Sequence, residues 1–168
     1  GGQVEAAVAR AAKIGDGWLV VPIPTLDQLT KQMATYTNAR SAAKLPRSPH
    51  ICRLLEVGCG PDEETAFRRV APHLIEKYKA YFSWGLEGLT LDPKASPEQK
   101  FRSLAVNRFA VGSPAQVIDM LLAQHRAGVN HLSMRVSWPG MPQADILAGI
   151  ELLGKKVLPE VRRRTATA

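Results

Sequence analysis

This sequence is poor in cysteine, in aromatic residues and in long apolar runs, and each shortage removes a class of protein. Its only cysteines, Cys52 and Cys59, sit seven positions apart. That is neither a CxxC metal or redox spacing nor the basis of a disulfide framework. They are expected to be buried or incidental thiols in a reducing cytoplasm. No apolar stretch approaches the roughly 18 residues of a membrane span, and none resembles a signal peptide. His50, His73, His125 and His131 share no metal-ligand spacing such as HExxH and are expected to be structural or surface residues. A GxSxG elbow, a P-loop and a credible Ser/His/Asp set are missing too, which leaves a hydrolase without support.

Aromatic residues make up only 6% of the chain and do not interleave with its basic residues. This bears on the net charge of +7, because a basic chain can bind nucleic acid. Here the positive charges are scattered along helices and form no stripe. The one tight cluster, Arg162 to Arg164, follows the final helix, where cations meet its negative pole. A solvated, mobile tail over residues 162–168 accounts for that cluster, and no nucleic-acid or membrane partner is expected.

What the chain does contain is the alternation of an α/β protein. Hydrophobic residues at 45% and charged residues at 22% are ordinary for one soluble domain with a substantial core. A first helix is expected over Val4 to Lys13, with Val4, Ala7, Val8, Ala11 and Ala12 as a face of small apolar residues. Gly15-Asp16-Gly17 turns the chain into a strand, Trp18 to Ile23, whose continuous apolar run predicts burial on both faces. Thr25-Leu-Asp-Gln28 is a capping box opening a second helix, with Leu26, Leu29, Met33 and Tyr36 inward. A loop over 41–49 leads to a second strand, His50 to Val57, with Cys59 in the loop beyond it. Pro61 and Asp62 then start a third helix bearing Ala66, Phe67, Val70 and Leu74, which Pro72 is expected to break or kink.

The stretch from Arg108 to Arg162 is the most informative. Ser113 is placed to cap a helix, Pro114 suits its first turn, and Gln116 completes a capping box. Val117, Met120, Leu121 and Gln124 recur at helical spacing, and Gly128 ends the helix in a left-handed conformation. The run HLSMRVS, His131 to Ser137, alternates as a third strand and is followed by the turn Trp138-Pro139-Gly140. A closing helix puts Ile146, Ile150, Leu153 and Val157 on one face and is expected to stop at Pro159.

Four of these elements, GSPAQV (Gly112 to Val117), AGVNHL (Ala127 to Leu132), WPGMP (Trp138 to Pro142) and KKVLPEVR (Lys155 to Arg162), occur in a telling order. Together they resemble the end of the bacterial-luciferase-like flavin monooxygenase and oxidoreductase family. The opening GGQVEAAVARAAKIGDGWLVVP, Gly1 to Pro22, is similar to that family's segment after the fifth barrel strand. The resemblance covers nearly the whole chain and is thinnest over residues 85–107.

The resemblance implies a (β/α)8 barrel, typically about 250 residues or longer, while this chain has 168. The expectation is therefore a C-terminal part of such a barrel, about three βα units, with five strands upstream of residue 1. A self-standing small domain would instead leave the first strand with a bare edge. From Ile51 to His131 is far more chain than one crossover needs, so an excursion, roughly Tyr78 to Val111, lies between the last two strands. It serves either as a pocket wall or lid, or as a packing layer or dimer contact.

By the same resemblance the parent protein is an enzyme that uses reduced FMN, supplied by a separate reductase, and O2 to oxidise a small organic substrate. A deazaflavin coenzyme transferring hydride is the alternative within the superfamily, and a non-catalytic barrel remnant acting by association is a third. A homo-oligomer is left open. The family's acid and base residues would lie upstream, so no catalytic residue is named and the fragment alone is expected to be inactive.

Two loci could carry binding. At the turn Gly1-Gly2-Gln3-Val4, glycines allow close backbone approach and the helix start offers free N–H groups to an anion. The resemblance places the flavin or deazaflavin phosphate there, although no Ser or Thr stands at this turn. At the end of the third strand, Arg135, Ser137 and Trp138 are positioned to line a substrate pocket. Arg135 either contacts an anionic group of substrate or cofactor, or pairs with Glu56 on the neighbouring strand. Trp138 either walls the pocket or simply packs.

Overall fold

The computed structural model describes residues 2–46, 50–84 and 94–166. Helix α1 (Glu5–Ile14) leads into strand β1 (Gly17–Val20), α2 (Leu26–Ala42) into β2 (His50–Cys59), and α3 (Glu63–Ser83) follows. Then come α4 (Pro97–Ala105), β3 (Ala110–Gly112), α5 (Pro114–Arg126), β4 (His131–Arg135) and α6 (Gln143–Leu152). A π-helical segment, Leu153–Val157, joins α6 to α7 (Leu158–Thr165). β2 is the centre of an all-parallel sheet. It pairs with β1 through Gly17↔His50 to Val20↔Arg53 and with β4 through Cys52↔His131 to Glu56↔Arg135. The three longer strands each lead into a helix, β1–α2, β2–α3 and β4–α6, and the short β3 leads into α5.

Start signals behave as their chemistry requires. Thr25 and Ser113 each accept from the N–H three residues on while Gln28 and Gln116 reach back, completing two capping boxes. Gly128 takes φ +99°, a backbone conformation that side chains resist, and so closes α5. Asp62 accepts from the Thr65 N–H at 2.7 Å and opens α3.

Several expectations are corrected. β1 ends at Val20 and is buried on one face only, since Leu19 is 56% exposed. β2 runs on to Cys59, and its last residues pair with a short strand the apolar pattern did not reveal, β3, through Val57↔Ala110 to Cys59↔Gly112. α3 continues through Pro72 without interruption. Pro72 and Arg68 are both exposed, so the carbonyl that proline leaves without a donor faces water. The closing helix does not stop at Pro159. The extra residue of the π-helical turn carries it into α7, where proline sits in the tolerated first turn. Arg162 to Thr165 are therefore helical, and 167–168 lie outside the described residues.

The excursion holds a helix of its own. Ser96 and Gln99 form a third capping box that starts α4. Phe101 from α4 packs edge-on against Phe67 of α3 at 5.3 Å, within a core that also takes in Phe109 and Trp138. This part of the excursion is a packing layer, while Trp84 remains exposed and residues 85–93 lie outside the described residues.

Alternation along the strands separates two faces. Trp18, Val20, Ile51, Leu55, Val57, Leu132 and Met134 lie in apolar clusters with α1, α2, α5 and the π-helical segment. Each fully buried side chain of this size contributes roughly 1.5–3 kcal/mol. The intervening set, Leu19, Cys52, Leu54, Glu56, His131, Ser133 and Arg135, points to the opposite face. α3 covers the C-terminal end of that face, where Val70 abuts Gly58 and Lys77 meets Glu56, while His131 and Ser133 are exposed on it. Glu56 is the exception, fully buried near the C-terminal ends of the strands.

Candidate functional site

Glu56 is buried because donors from three elements close over it. Arg135, its register partner on β4, donates from Nη1 to Oε1 at 2.9 Å. Trp138, in the turn after β4, donates its indole N–H to Oε2 at 2.9 Å. Lys77 of α3 donates to the same Oε1 that Arg135 uses. The ammonium of Lys77 also lies over the rings of Tyr78 and Tyr81, at 5.3 and 5.2 Å. A buried carboxylate is stable only when paired and hydrogen-bonded in this way.

More positive charge stands close behind. Arg108 donates from Nε to the Ile23 carbonyl at 2.7 Å and from Nη1 to Leu104. Arg53, with no exposed surface, donates to Pro24 at 2.6 Å and to Gln124. Neither has a carboxylate partner among the described residues. Burial lowers the Arg53 guanidinium to about 10, which still leaves it charged at neutral pH, and burial also lowers Arg108. Tyr78 interacts electrostatically with Glu56 and Arg108, and its buried hydroxyl has no hydrogen bond among the described residues. Burial first, and the Glu56 charge second, push its phenol well above the usual range, so it stays neutral.

The sequence-derived residues are distributed as follows. Arg135 makes the Glu56 ion pair, with its side chain still 32% exposed. Trp138 is 5% exposed, and its indole N–H holds Glu56. Ser137 is exposed, with no hydrogen bond to the cluster among the described residues. At the other locus Gly1 lies outside the described residues. Gly2 must lack a side chain, because a Cβ there would collide with that of Ala7. The Gln3 carbonyl accepts from Gln32 Nε2 at 2.9 Å, tying the turn to α2. Val4 is the N-cap of α1 and is 69% exposed, and no side chain caps the helix. Free N–H groups therefore remain in the first turn, as an anion site requires, although exposed Glu5 stands among them.

Lys77, Tyr78, Arg53 and Arg108 were not legible as a set. The available signals were a lysine one turn past Leu74 on an apolar stripe, and an arginine at an inward position between Ile51 and Leu55. The histidines stay apart from the cluster: His50 and His131 stack edge-on at 5.3 Å at the strand starts, and His73 bonds the Pro139 carbonyl. Among the described residues no group of three His, Cys, Asp or Glu could hold a metal, and no helix is long and apolar enough to cross a membrane.

Comparison with known proteins accords with this architecture. No curated protein matches the sequence. Among solved structures, the monooxygenase RslO1 from Streptomyces bottropensis superposes with TM-score 0.72 at 21% identity, over 94% of this chain and 46% of that one. The coenzyme F420-dependent tetrahydromethanopterin reductase from Methanopyrus kandleri gives 0.67 at 16% identity, over 95% and 49%. The oxygenating constituent of 3,6-diketocamphane monooxygenase from Pseudomonas putida, solved with FMN, gives 0.64 at 22% identity, over 91% and 45%. The chain thus spans about half the length of these structures and matches their fold, making its sheet part of a TIM barrel. A family model described as luciferase-like monooxygenase matches residues 1–131, and the chain belongs to that family.

Proposed function

We propose that this chain supplies the C-terminal portion of a flavin-dependent oxidoreductase that uses reduced FMN and O2 to oxidise a small organic substrate. The observation that carries the reading is the start of α1, where an uncapped first turn and the obligatory glycine at position 2 leave backbone N–H groups open to a phosphate. Gly2, Gln3 and Val4, with Gly1, would hold the cofactor phosphate there. When bound, reduced FMN supplies the electrons with which oxygen is activated, and the protein supplies binding, orientation and exclusion of water. Arg135, Ser137 and Trp138 would border the substrate, with Trp138 fixed against Glu56 and so held rigid. General acid and base groups are assigned to the part of the barrel that this chain does not contain. A flavin reductase is the partner such a reaction needs, and the cytoplasm is the compartment that suits it.

The likeness to an F420-dependent reductase supports a second reading, in which a deazaflavin transfers hydride. Titrating the purified chain with reduced FMN, riboflavin and a deazaflavin separates the readings. Saturable binding is expected, with FMN at least about tenfold tighter than riboflavin because a phosphate adds charge-assisted hydrogen bonds. Binding of the deazaflavin alone would move the assignment to hydride transfer. Self-association without response to any of the three would leave a barrel remnant that acts by assembly.

A further inference from the structure

The Glu56 cluster is unbalanced in charge. One carboxylate faces Lys77 and Arg135, and both cations bond the same oxygen, Oε1. Its other oxygen is taken by a neutral donor, Trp138. Tyr78 cannot act as a second anion, since its phenol is neutral, and Arg108 behind it adds a further positive charge. Arg135 meanwhile engages Glu56 through Nη1 alone. Its Nε and Nη2 have no hydrogen-bond partner among the described residues, and the side chain is 32% exposed. A guanidinium anchored at one nitrogen presents its remaining N–H groups as a planar fork, a shape that matches an oxyanion.

The geometry points to a substrate that carries an oxyanion, a carboxylate, sulfonate or phosphate, gripped by the free edge of Arg135, with Glu56 as the positioning residue that aims it. This rests on reading the strand ends as the substrate pocket. It is separate from the phosphate assigned to the start of α1. β1 and β4 flank β2 on opposite sides, about 10 Å apart at ordinary strand spacing, and α1 packs with β1 and α2. One small cofactor phosphate cannot occupy both places.

The Trp138 indole N–H is a built-in reporter, because it shares Glu56 with Arg135. In ¹⁵N-labelled chain, with the indole signal assigned through Trp138→Phe, inorganic sulfate added at constant ionic strength should shift that resonance saturably. Arg135→Gln should weaken the apparent affinity about tenfold or more, as expected for losing bonds to a charged donor. Arg135→Lys, which keeps the charge and loses the fork, should weaken it less and carries the test if the glutamine variant does not fold. A shift that never saturates, that chloride reproduces, or that survives unchanged in both variants overturns the proposal. FMN displacing sulfate where riboflavin does not would assign the oxyanion to the cofactor and overturn it as well. Sulfate binding with no flavin binding would leave this inference standing while the flavin reading falls.

Discussion

The indole nitrogen of Trp138 and the carboxylate of Glu56 lie 2.9 Å apart, joining the turn after β4 to the middle strand of the sheet. That bond, with those from Arg135 and Lys77, holds a carboxylate that has no exposed surface. Removing its charge leaves two cations, Lys77 and Arg135, against a neutral amide. Glu56→Gln should therefore destabilise the fold by about 3 kcal/mol, at the lower end for a broken buried pair because both cations retain some access to water. Urea unfolding with an unchanged m-value would measure it, and a loss below about 1 kcal/mol would show that the cluster is not a stabilising unit.

A buried cation on α2 has a different task. Arg40 of α2 donates from Nη1 to the carbonyls of Ala12 and Gly15, both at 3.0 Å, where α1 ends, and from Nε to Pro46 at 2.8 Å. The C-terminal carbonyls of α1 thus find a charged donor on the neighbouring helix. Arg40→Met keeps most of the stem and removes the donors, so a loss of about 2 kcal/mol is expected in the same experiment. An unaltered midpoint would mean that water satisfies those carbonyls equally well.

What could be foreseen from sequence follows from how local each signal is. The boxes at Thr25 and Ser113 and the left-handed Gly128 depend on neighbours within three or four residues, and they appear where expected. The same chemistry at Ser96 went unrecognised because the apolar period after it, Phe101, Leu104 and Ala105, spans little more than one turn of a nine-residue helix. β3 is too short for alternation to show, and it exists because β2 runs past the point where its neighbours end. Leu19 misled for a different reason. An apolar residue on the inner face of a barrel strand looks in sequence like one in a closed core, and only the structure shows Leu19 56% exposed. The site was half legible: Glu56 and Arg135 are named by strand register, whereas Lys77 reaches them through the packing of α3, which no local pattern encodes.

Acid should act on the start of α3. The Asp62 carboxyl is held below its ordinary range, first by the backbone N–H of Thr65 and then by that residue's hydroxyl. A depressed folded-state value means the stabilisation is complete above the unfolded carboxyl value, near 3.8, and drains away as pH falls through the folded one. Asp62→Asn retains a cap but cannot ionise. Its unfolding midpoint should lie below that of the parent chain at pH 7, and the gap should narrow by pH 3. An equal gap at both pH values would show that the charge plays no part.

The two thiols should differ in reactivity, and the difference reports on the part of the inner sheet face that α3 leaves exposed. Cys52 is partly exposed there, level in register with Leu19 and His131. Cys59 is 5% exposed, and burial pushes its thiol up to about 11, leaving almost no thiolate at pH 8. Alkylation of the native chain at pH 8, followed by peptide mass spectrometry, should modify Cys52 readily and Cys59 only after denaturant is added. If the remaining strands of a barrel close over this face, whether supplied on the same polypeptide or added in solution, Cys52 should become protected while Cys59 is unaffected. Equal labelling of both in the native chain would contradict the burial of Cys59. Slow labelling of Cys52 in a monomeric chain would mean that the inner face is not open to water.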